Sequence, residues 1–222
     1  DFCLSRGLGD VYKRQANTNL LGTYNITLYN IAGNETLATT SFAVGLTDKL
    51  KYLRAETVDI RGSGYNVSET VLVDLKFGNA LVSGFPRTVN ANSGGVVTDS
   101  WVIPADATLG VYTLTLTNTT TSGTVKPLPD SQDFTIEGVC EVQVRNLANQ
   151  IVAGILVEVW DATSGYVNVL NKTDETGLVR FVLEAGEYVF KAFWKDVVVG
   201  SKYQIITENT TLLLPVSLSN LK

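Results

Sequence analysis

The stretch "LGVYTLTLTN", residues 109–118, has a close copy in "LGTYNITLYN", residues 21–30. Each copy alternates in polarity; in the second, Tyr112, Leu114 and Leu116 share one parity, which is typical of a strand with one buried face. A further predicted strand follows each copy, "SFAVG" at 41–45 and "DFTIEG" at 133–138. Because the two copies lie 88 residues apart (109 − 21), the repeat predicts two copies of a small β domain rather than a solenoid.

The composition also favours β structure. Apolar residues make up 45% of the chain and charged residues 18%, and Met is absent. Three more short apolar stretches, separated by turn residues, have the spacing of about 8 to 12 residues that antiparallel sandwiches show. These are "ETVDIRGSGY" (56–65), "ETVLVDLKFG" (69–78) and "GVVTDSWVIP" (95–104). We therefore expect an all-β chain of tandem antiparallel β-sandwiches.

A glycine two residues before an inward tyrosine, as in both copies, resembles the tyrosine corner of immunoglobulin-like sandwiches, where the hydroxyl bonds back to the backbone. The stretch "WVIPADATLGVYTLTL" is similar to the end of bacterial and archaeal immunoglobulin-like modules of large surface proteins. The resemblance implies that residues 47–138 form a complete immunoglobulin-like sandwich and that residues 16–46 are the C-terminal part of another. Tyr24 and Tyr112 are then expected in the cores.

The last part of the chain, residues 139–222, has a different pattern. Its stretch "VAGILVEVW…TDETGLVRFVLEAGEYVFKA" resembles carboxypeptidase-regulatory-like and transthyretin-like modules, which implies a prealbumin-type sandwich with Tyr188 and Trp194 in its core. The related B-type domains of collagen adhesins join a first-strand Lys to a last-strand Asn by an isopeptide bond. Here the first strand offers Arg145, and no Asn lies between Leu212 and Leu218, so no such bond is expected.

Residues 1–15, "DFCLSRGLGDVYKRQ", show neither strand alternation nor the apolar core of a signal peptide. The run from Asp10 to Gln15 can be back-translated into a sequence that resembles the end of a transposon-based sequencing adaptor. We therefore interpret residues 1–15 as non-native, with a natural N-terminal arm as the alternative. Cys3 would then be foreign, and Cys140 would be a lone cysteine that behaves as a small buried apolar residue.

Several function classes are disfavoured by composition. The chain has no histidine, the usual general base and the commonest metal ligand, so most hydrolytic mechanisms lose a component. Its net charge is −5 and its 17 basic residues are scattered, which disfavours nucleic-acid binding. No apolar run reaches the roughly 18 to 20 residues that cross a bilayer. We expect no enzyme activity, no cofactor and no membrane span.

The acidic cluster "TDETG", residues 173–177, offers Asp174 and Glu175 as weak candidates for a Ca²⁺ site. A turn explains it more simply: Asp174 would bond local backbone, and Gly177 would supply a permissive conformation. The same interpretation is applied to Asp130 and Asp133.

Two aromatic residues, Trp160 and Phe193, fall on the outward parity of their predicted strands. Exposed rings of this kind can stack on sugars or anchor a protein partner. The favoured alternative is that they fill a sheet edge or a contact between modules.

The glycosylation pattern N-x-[ST] occurs six times, against about three expected by chance for a Thr-rich chain. The candidate sites are Asn25, Asn34, Asn66, Asn118, Asn171 and Asn209. All are predicted in turns, at strand ends or on an outward face, as a glycan requires.

These features together favour a non-enzymatic, structural fragment of an extracellular or cell-surface protein, with a stalk, adhesion or surface-layer role. Its partners would be neighbouring domains of a longer chain, other surface proteins or polysaccharide. The alternative is an accessory, carbohydrate-binding region of a larger secreted hydrolase or peptidase.

Overall fold

The computed structural model describes residues 22–30, 35–119 and 129–218, and this part of the chain is all-β and contains no helix. It forms two compact units, Asp1–Gly45 and Leu46–Lys222, and each is described by itself. The strands of the first unit are β1 (Gly22–Asn30) and β2 (Glu35–Val44). The strands of the second unit are β3 (Lys51–Leu53), β4 (Thr57–Ser63), β5 (Thr70–Phe77), β6 (Ala80–Leu81), β7 (Arg87–Asn90), β8 (Val96–Val102), β9 (Gly110–Asn118), β10 (Asp130–Asn146), β11 (Leu156–Asp161), β12 (Val167–Lys172), β13 (Leu178–Leu183), β14 (Gly186–Trp194), β15 (Val197–Ile206) and β16 (Thr210–Val216).

In the described part of the first unit, β1 and β2 pair antiparallel, and Tyr24 lies opposite Phe42. Strands β9 and β10 of the second unit pair in the same register, with Tyr112 opposite Phe134. The sequence repeat therefore extends to the strand pairing. The proposed adaptor segment with Cys3, and the candidate site Asn34, lie outside the described residues.

The first sandwich of the second unit, residues 46–137, packs two sheets against each other. One contains β3, β10, β9 and β5 with the short strands β6 and β7, and the other contains β4 and β8. The interior holds an aromatic cluster in which the Tyr112 ring lies 5.7 Å from that of Trp101 and 5.8 Å from that of Phe134. Large buried rings of this kind supply much of the apolar area that stabilises a small sandwich.

The second sandwich, residues 138–218, also consists of two sheets. One has four strands in the order β12-β11-β14-β15, and in the other β13 and β16 flank β10. Its core side chains alternate along the strands, as Tyr188, Phe190 and Ala192 do on β14. Trp194, predicted in this core, lies at the end of β14 and is only partly buried against it.

One strand belongs to both sandwiches. β10 is 17 residues long, and even-numbered residues from Phe134 to Val144 point inward without a break. The separate strands expected at 133–138 and from Cys140 onward are thus a single strand. Gly138 lies at the crossing, where a Cβ atom would come within 2.5 Å of Leu109 Cδ1. A larger residue here would require the Leu109 side chain to move, so glycine fits this position of the strand without rearrangement.

The expected tyrosine corner is present in the first sandwich and has an equivalent in the second. The Tyr112 hydroxyl donates to the Thr108 carbonyl oxygen at 2.9 Å. The Tyr188 hydroxyl likewise donates to the Glu184 carbonyl oxygen, also four residues back, at 3.1 Å. A glycine lies two residues before each tyrosine, and burial raises the pKa of both hydroxyls. The corner at Tyr112 is confirmed, and that at Tyr188 was not predicted.

Asp130 and Asp133 were expected in local turns, and this interpretation is wrong. Both lie in β10, where Asp130 Oδ2 accepts from the Tyr65 hydroxyl at 3.2 Å and Asp133 Oδ1 accepts from the Thr113 hydroxyl at 2.7 Å. Their partners are 65 and 20 residues away in sequence, so the carboxylates tie strands together.

We expect Tyr112→Phe and Tyr188→Phe each to lower the free energy of unfolding by about 1 kcal/mol, because each leaves a part-buried carbonyl without its donor. Urea titration followed by fluorescence measures the loss. Tyr166→Phe is the matched control, since Tyr166 is 77% exposed. Equal stability of all three variants would show that the corners contribute nothing.

Candidate functional site

The two sandwiches meet at a cluster of three charged side chains around β10. Lys51, at the start of β3, places its Nζ atom 2.8 Å from Glu137 Oε1 on β10 and 2.8 Å from Glu184 Oε1 in the turn after β13. Hydrogen bonding to Glu137 and Glu184 raises the pKa of Lys51 well above its usual range. We call these three residues the junction cluster, because Lys51 belongs to the first sandwich and Glu184 to the second.

An open groove of about 380 Å³ lies beside the junction cluster. Its walls are mainly polar and include Asp161, Ser164, Tyr166, Asn168 and Tyr188. The Asp161 carboxylate already accepts from the backbone N–H groups of Thr163 and Ser164, and the bond from Ser164 is the main cause that lowers its pKa.

Each carboxylate of the groove already has partners: Asp161 is held by its own turn, including the side chain of Ser164, and Glu137 and Glu184 are held by Lys51. Among the described residues, no group of three or more Cys, Asp or Glu side chains is arranged to hold a metal ion. The same part of the chain has no helix long and apolar enough to cross a membrane. What the cluster can do is hold two sandwiches together.

Trp160 lies on the outer face of the four-stranded sheet, half-buried among neighbouring side chains. Its indole N–H donates to Glu158 Oε2 at 2.9 Å, and Lys191 Nζ lies 3.6 Å from the ring centroid. A sugar stacking on that side of the ring would have to displace the ammonium group and lose a cation–π contact. The geometry therefore favours packing over an open stacking platform.

Phe193 lies on β14 opposite Leu156 of β11 and Val198 of β15, and it is half-buried on the same outer face. The junction cluster contains neither Trp160 nor Phe193. Their assignment to a ligand or partner surface stays a prediction.

The weak metal candidate Asp174 is engaged within its own turn. Its Oδ1 atom accepts from the backbone N–H of Thr176, the hydroxyl of Thr176 and the backbone N–H of Leu178. The bond from the Thr176 hydroxyl is the main cause that lowers its pKa. Gly177 has a φ of 71°, as the turn interpretation requires, and Glu175 is exposed.

The candidate glycosylation sites differ in their surroundings. Asn66 and Asn171 are exposed, Asn118 ends β9, and Asn25 lies in β1. Asn209 is exposed, but its Oδ1 accepts from the Val139 backbone N–H at 2.9 Å. The threonine of the Asn171 pattern, Thr173, is buried, and its hydroxyl donates to the Val152 carbonyl oxygen. Whether any site carries a glycan stays a prediction.

Sequence reasoning missed the junction cluster. Lys51 and Glu184 are 133 residues apart, and no local pattern links them. Of the three residues, only Glu137 could have been noticed in the sequence. It lies on the outward side of a predicted strand next to a predicted domain boundary, where its carboxylate could contact the neighbouring domain.

No protein-family model matches the chain, and no curated protein matches it. Several solved structures are similar at low identity. The tetra-tandem repeat in the extending region of a large adhesion protein is 13% identical over 89% of this chain and 56% of that one, with a TM-score of 0.35. Shaft pilin SpaA from Lactobacillus rhamnosus GG is 8% identical over 78% of this chain and 96% of that one, with a TM-score of 0.33. The Bacillus anthracis TIE protein is 13% identical over 89% of this chain, with a TM-score of 0.32, and this chain spans 41% of its length. Similarity this low carries no conclusion about the function of the chain.

We expect the protein to lose stability at alkaline pH, because a buried thiol and buried tyrosine hydroxyls resist ionisation in the folded state. Burial raises the pKa of Cys140 to about 11, from 9.0 for a free thiol. In the unfolded chain the thiol ionises first, so stability is full below about pH 9 and falls as pH rises towards 11. The raised pKa values of Tyr112 and Tyr188 act in the same direction at higher pH.

We therefore expect the urea midpoint to fall as pH rises from 9.0 to about 11, and to fall less steeply in Cys140→Ala. Identical pH profiles for the two proteins would contradict a role for the thiol.

We expect Trp160→Ala to lower the free energy of unfolding by about 1–2 kcal/mol, through lost burial and the lost contact with Lys191. Thermal melting measures it, with the exposed Tyr166→Ala as the control. An unchanged melting temperature, together with lost retention on a polysaccharide affinity gel, would assign Trp160 to a binding site instead.

Proposed function

We propose that the chain is a non-enzymatic structural segment of a secreted or cell-surface protein, in which successive sandwiches hold neighbouring domains at a fixed spacing and orientation. The observation that carries the proposal is strand β10, which passes from one sandwich into the next without an intervening linker. Domains joined by flexible, unpaired linkers move relative to each other by default. A shared strand removes that freedom.

At the crossing between the two sandwiches, residues 136–138 of β10 each pair with a residue of a neighbouring strand. Ile136 lies opposite Tyr52 of β3, Glu137 opposite Leu53, and Gly138 opposite Leu183 of β13. Bending the chain at this point would break ladder hydrogen bonds of both sheets at once, each of which has a net worth of about 1 kcal/mol. The junction cluster adds a contact between the two sandwiches beside the shared strand.

The surface chemistry supports an extracellular setting. Asn66, which lies within a glycosylation pattern, is exposed, as an attached glycan would require. The expected partners are neighbouring domains of a longer chain, other surface proteins or polysaccharide.

The pairing of β1 with β2 in the first unit extends the proposal to a longer array of sandwiches. In the first sandwich, β9 pairs with β5, and β10 pairs with β3. Because β1 and β2 share the register of β9 and β10, we infer that β1 and β2 each pair with a further strand, equivalent to β5 and β3 respectively. Residues 16–46 would then close one sandwich, residues 47–138 would form the next, and residues 139–222 would follow as the third.

The test is the relative orientation of the two sandwiches in solution. Residual dipolar couplings from each sandwich of the full chain should fit a single alignment tensor. Inserting Gly-Ser-Gly-Ser between Glu137 and Gly138 should give two different tensors, whereas the same insertion after Thr163, in an exposed turn, should leave one. Two tensors in the unaltered chain would overturn the proposal.

A further inference from the structure

Each sandwich has its first and last strands side by side and parallel. In the first sandwich, β3 pairs in parallel with β10 over Lys51–Leu53 and Thr135–Glu137. In the second, β10 itself is the first strand, and it pairs in parallel with the last strand, β16, over Cys140–Asn146 and Thr210–Val216. The three strands β3, β10 and β16 therefore connect the entry of the first sandwich with the exit of the second.

Parallel pairing decides how such strands respond to tension along the chain. When two parallel strands are pulled by the start of one and the end of the other, they slide past each other, and all the bonds between them are loaded together. The evenly spaced bonds of a parallel ladder share this load. Tension would thus pass from β3 to β10 through hydrogen bonds, along the backbone of β10, and on to β16, without crossing the loops of either sandwich.

We propose that this arrangement is an ordered mechanical device, in which the first sandwich opens under tension before the second. The inference rests on the proposed structural role for its biological use. The order follows from an asymmetry between the two parallel ladders, because three residues of β3 are paired with β10 whereas seven residues of β16 are paired with it.

The shorter ladder is reinforced by side chains at its end. Lys51 Nζ holds Glu137 of β10 and Glu184 of the second sandwich, so sliding β3 along β10 breaks both ion pairs. The chain before β3 is also tied to β10: Gln132 Oε1 accepts from the Leu46 backbone N–H at 2.6 Å, and Gln132 Nε2 donates to the Thr47 hydroxyl. The junction cluster and Gln132 therefore add resistance to the sliding of β3 along β10, and not to the sliding of β16.

Opening the first sandwich would release residues 46–137, which is roughly 300 Å of extended chain. The seven-residue ladder between β10 and β16 would meanwhile stay intact. The segment would lengthen under load and keep its second sandwich folded, which limits the peak force on whatever is attached at either end.

Single-molecule force spectroscopy on the full chain, held by handles at both termini, tests this order, because forced opening reports the unfolding rate. We expect two major steps. A ten-residue Gly-Ser insertion after Thr163 marks the second sandwich, so it should lengthen only the later step, by roughly 35 Å.

Lys51→Met tests the junction cluster. At constant force it should shorten the lifetime of the first step about three- to tenfold, the range that two partly exposed ion pairs can supply, and leave the later step unchanged. Lys49→Met is the matched control, since Lys49 has similar exposure and pairs with Glu56, which is not on β10.

Two results would overturn the inference: the lengthened step comes first, or Lys51→Met and Lys49→Met have equal effects. Neither result would bear on the fixed orientation of the sandwiches, which the dipolar couplings measure separately. A single alignment tensor together with a reversed order would retain the proposed function and reject the mechanical order.

Discussion

The continuity of strand β10 is the constraint on which the rest of the second unit depends. Its side chains alternate, so the even-numbered residues that face the first core, such as Phe134, stay in phase with those that face the second, such as Val142. Inserting or deleting one residue at the crossing would turn every later side chain of the strand to the opposite face. The hydrophobic patterns of the two sandwiches are therefore coupled, and neither can shift its register alone.

The two sandwiches differ in strand order, but both use a tyrosine corner where the chain enters a central strand. In each, the chain passes a glycine and enters a long central strand, β9 or β14, whose first inward side chain is a tyrosine. A hydroxyl that reaches back four residues satisfies a carbonyl oxygen in the loop and keeps the ring in the core. A phenylalanine could fill the core with its ring, but it has no hydroxyl to donate to the carbonyl oxygen.

Much of the fold could be predicted from the sequence because alternation and turn residues are local signals. The repeat at residues 21–30 and 109–118 extends to the register of the strands, and strands β4, β5 and β8 lie where the pattern places them. The crossing could not be predicted, because a glycine at position 138 normally indicates an interruption. Leu109 Cδ1 packs close to where a Cβ atom of residue 138 would lie, and this contact is visible only in three dimensions.

For the candidate sites, too, the sequence predicted the local features and missed the contacts between residues far apart in the chain. Parity placed Trp160 on the outward face of its strand, and the structure adds a hydrogen bond from its indole N–H to Glu158. The partners of Asp130 and Asp133, like the junction cluster, depend on strand pairing over long sequence distances, so local pattern gave the wrong interpretation or none.

The strand pairs β1–β2 and β9–β10 show how small a change decides whether a strand ends or continues. Val44 in β2 corresponds to Ile136 in β10, because each lies opposite the glycine that begins the preceding strand. The next residue after Val44 is Gly45, with a φ of 100°, and β2 ends there. The next residue after Ile136 is Glu137, which stays in the strand and carries it into the second sandwich. A residue with a side chain strongly resists a positive φ, so glycine at this position permits a turn and glutamate favours the extended chain. Glu137 also supplies the carboxylate that holds Lys51, so a single residue both extends the strand and anchors the contact beside it.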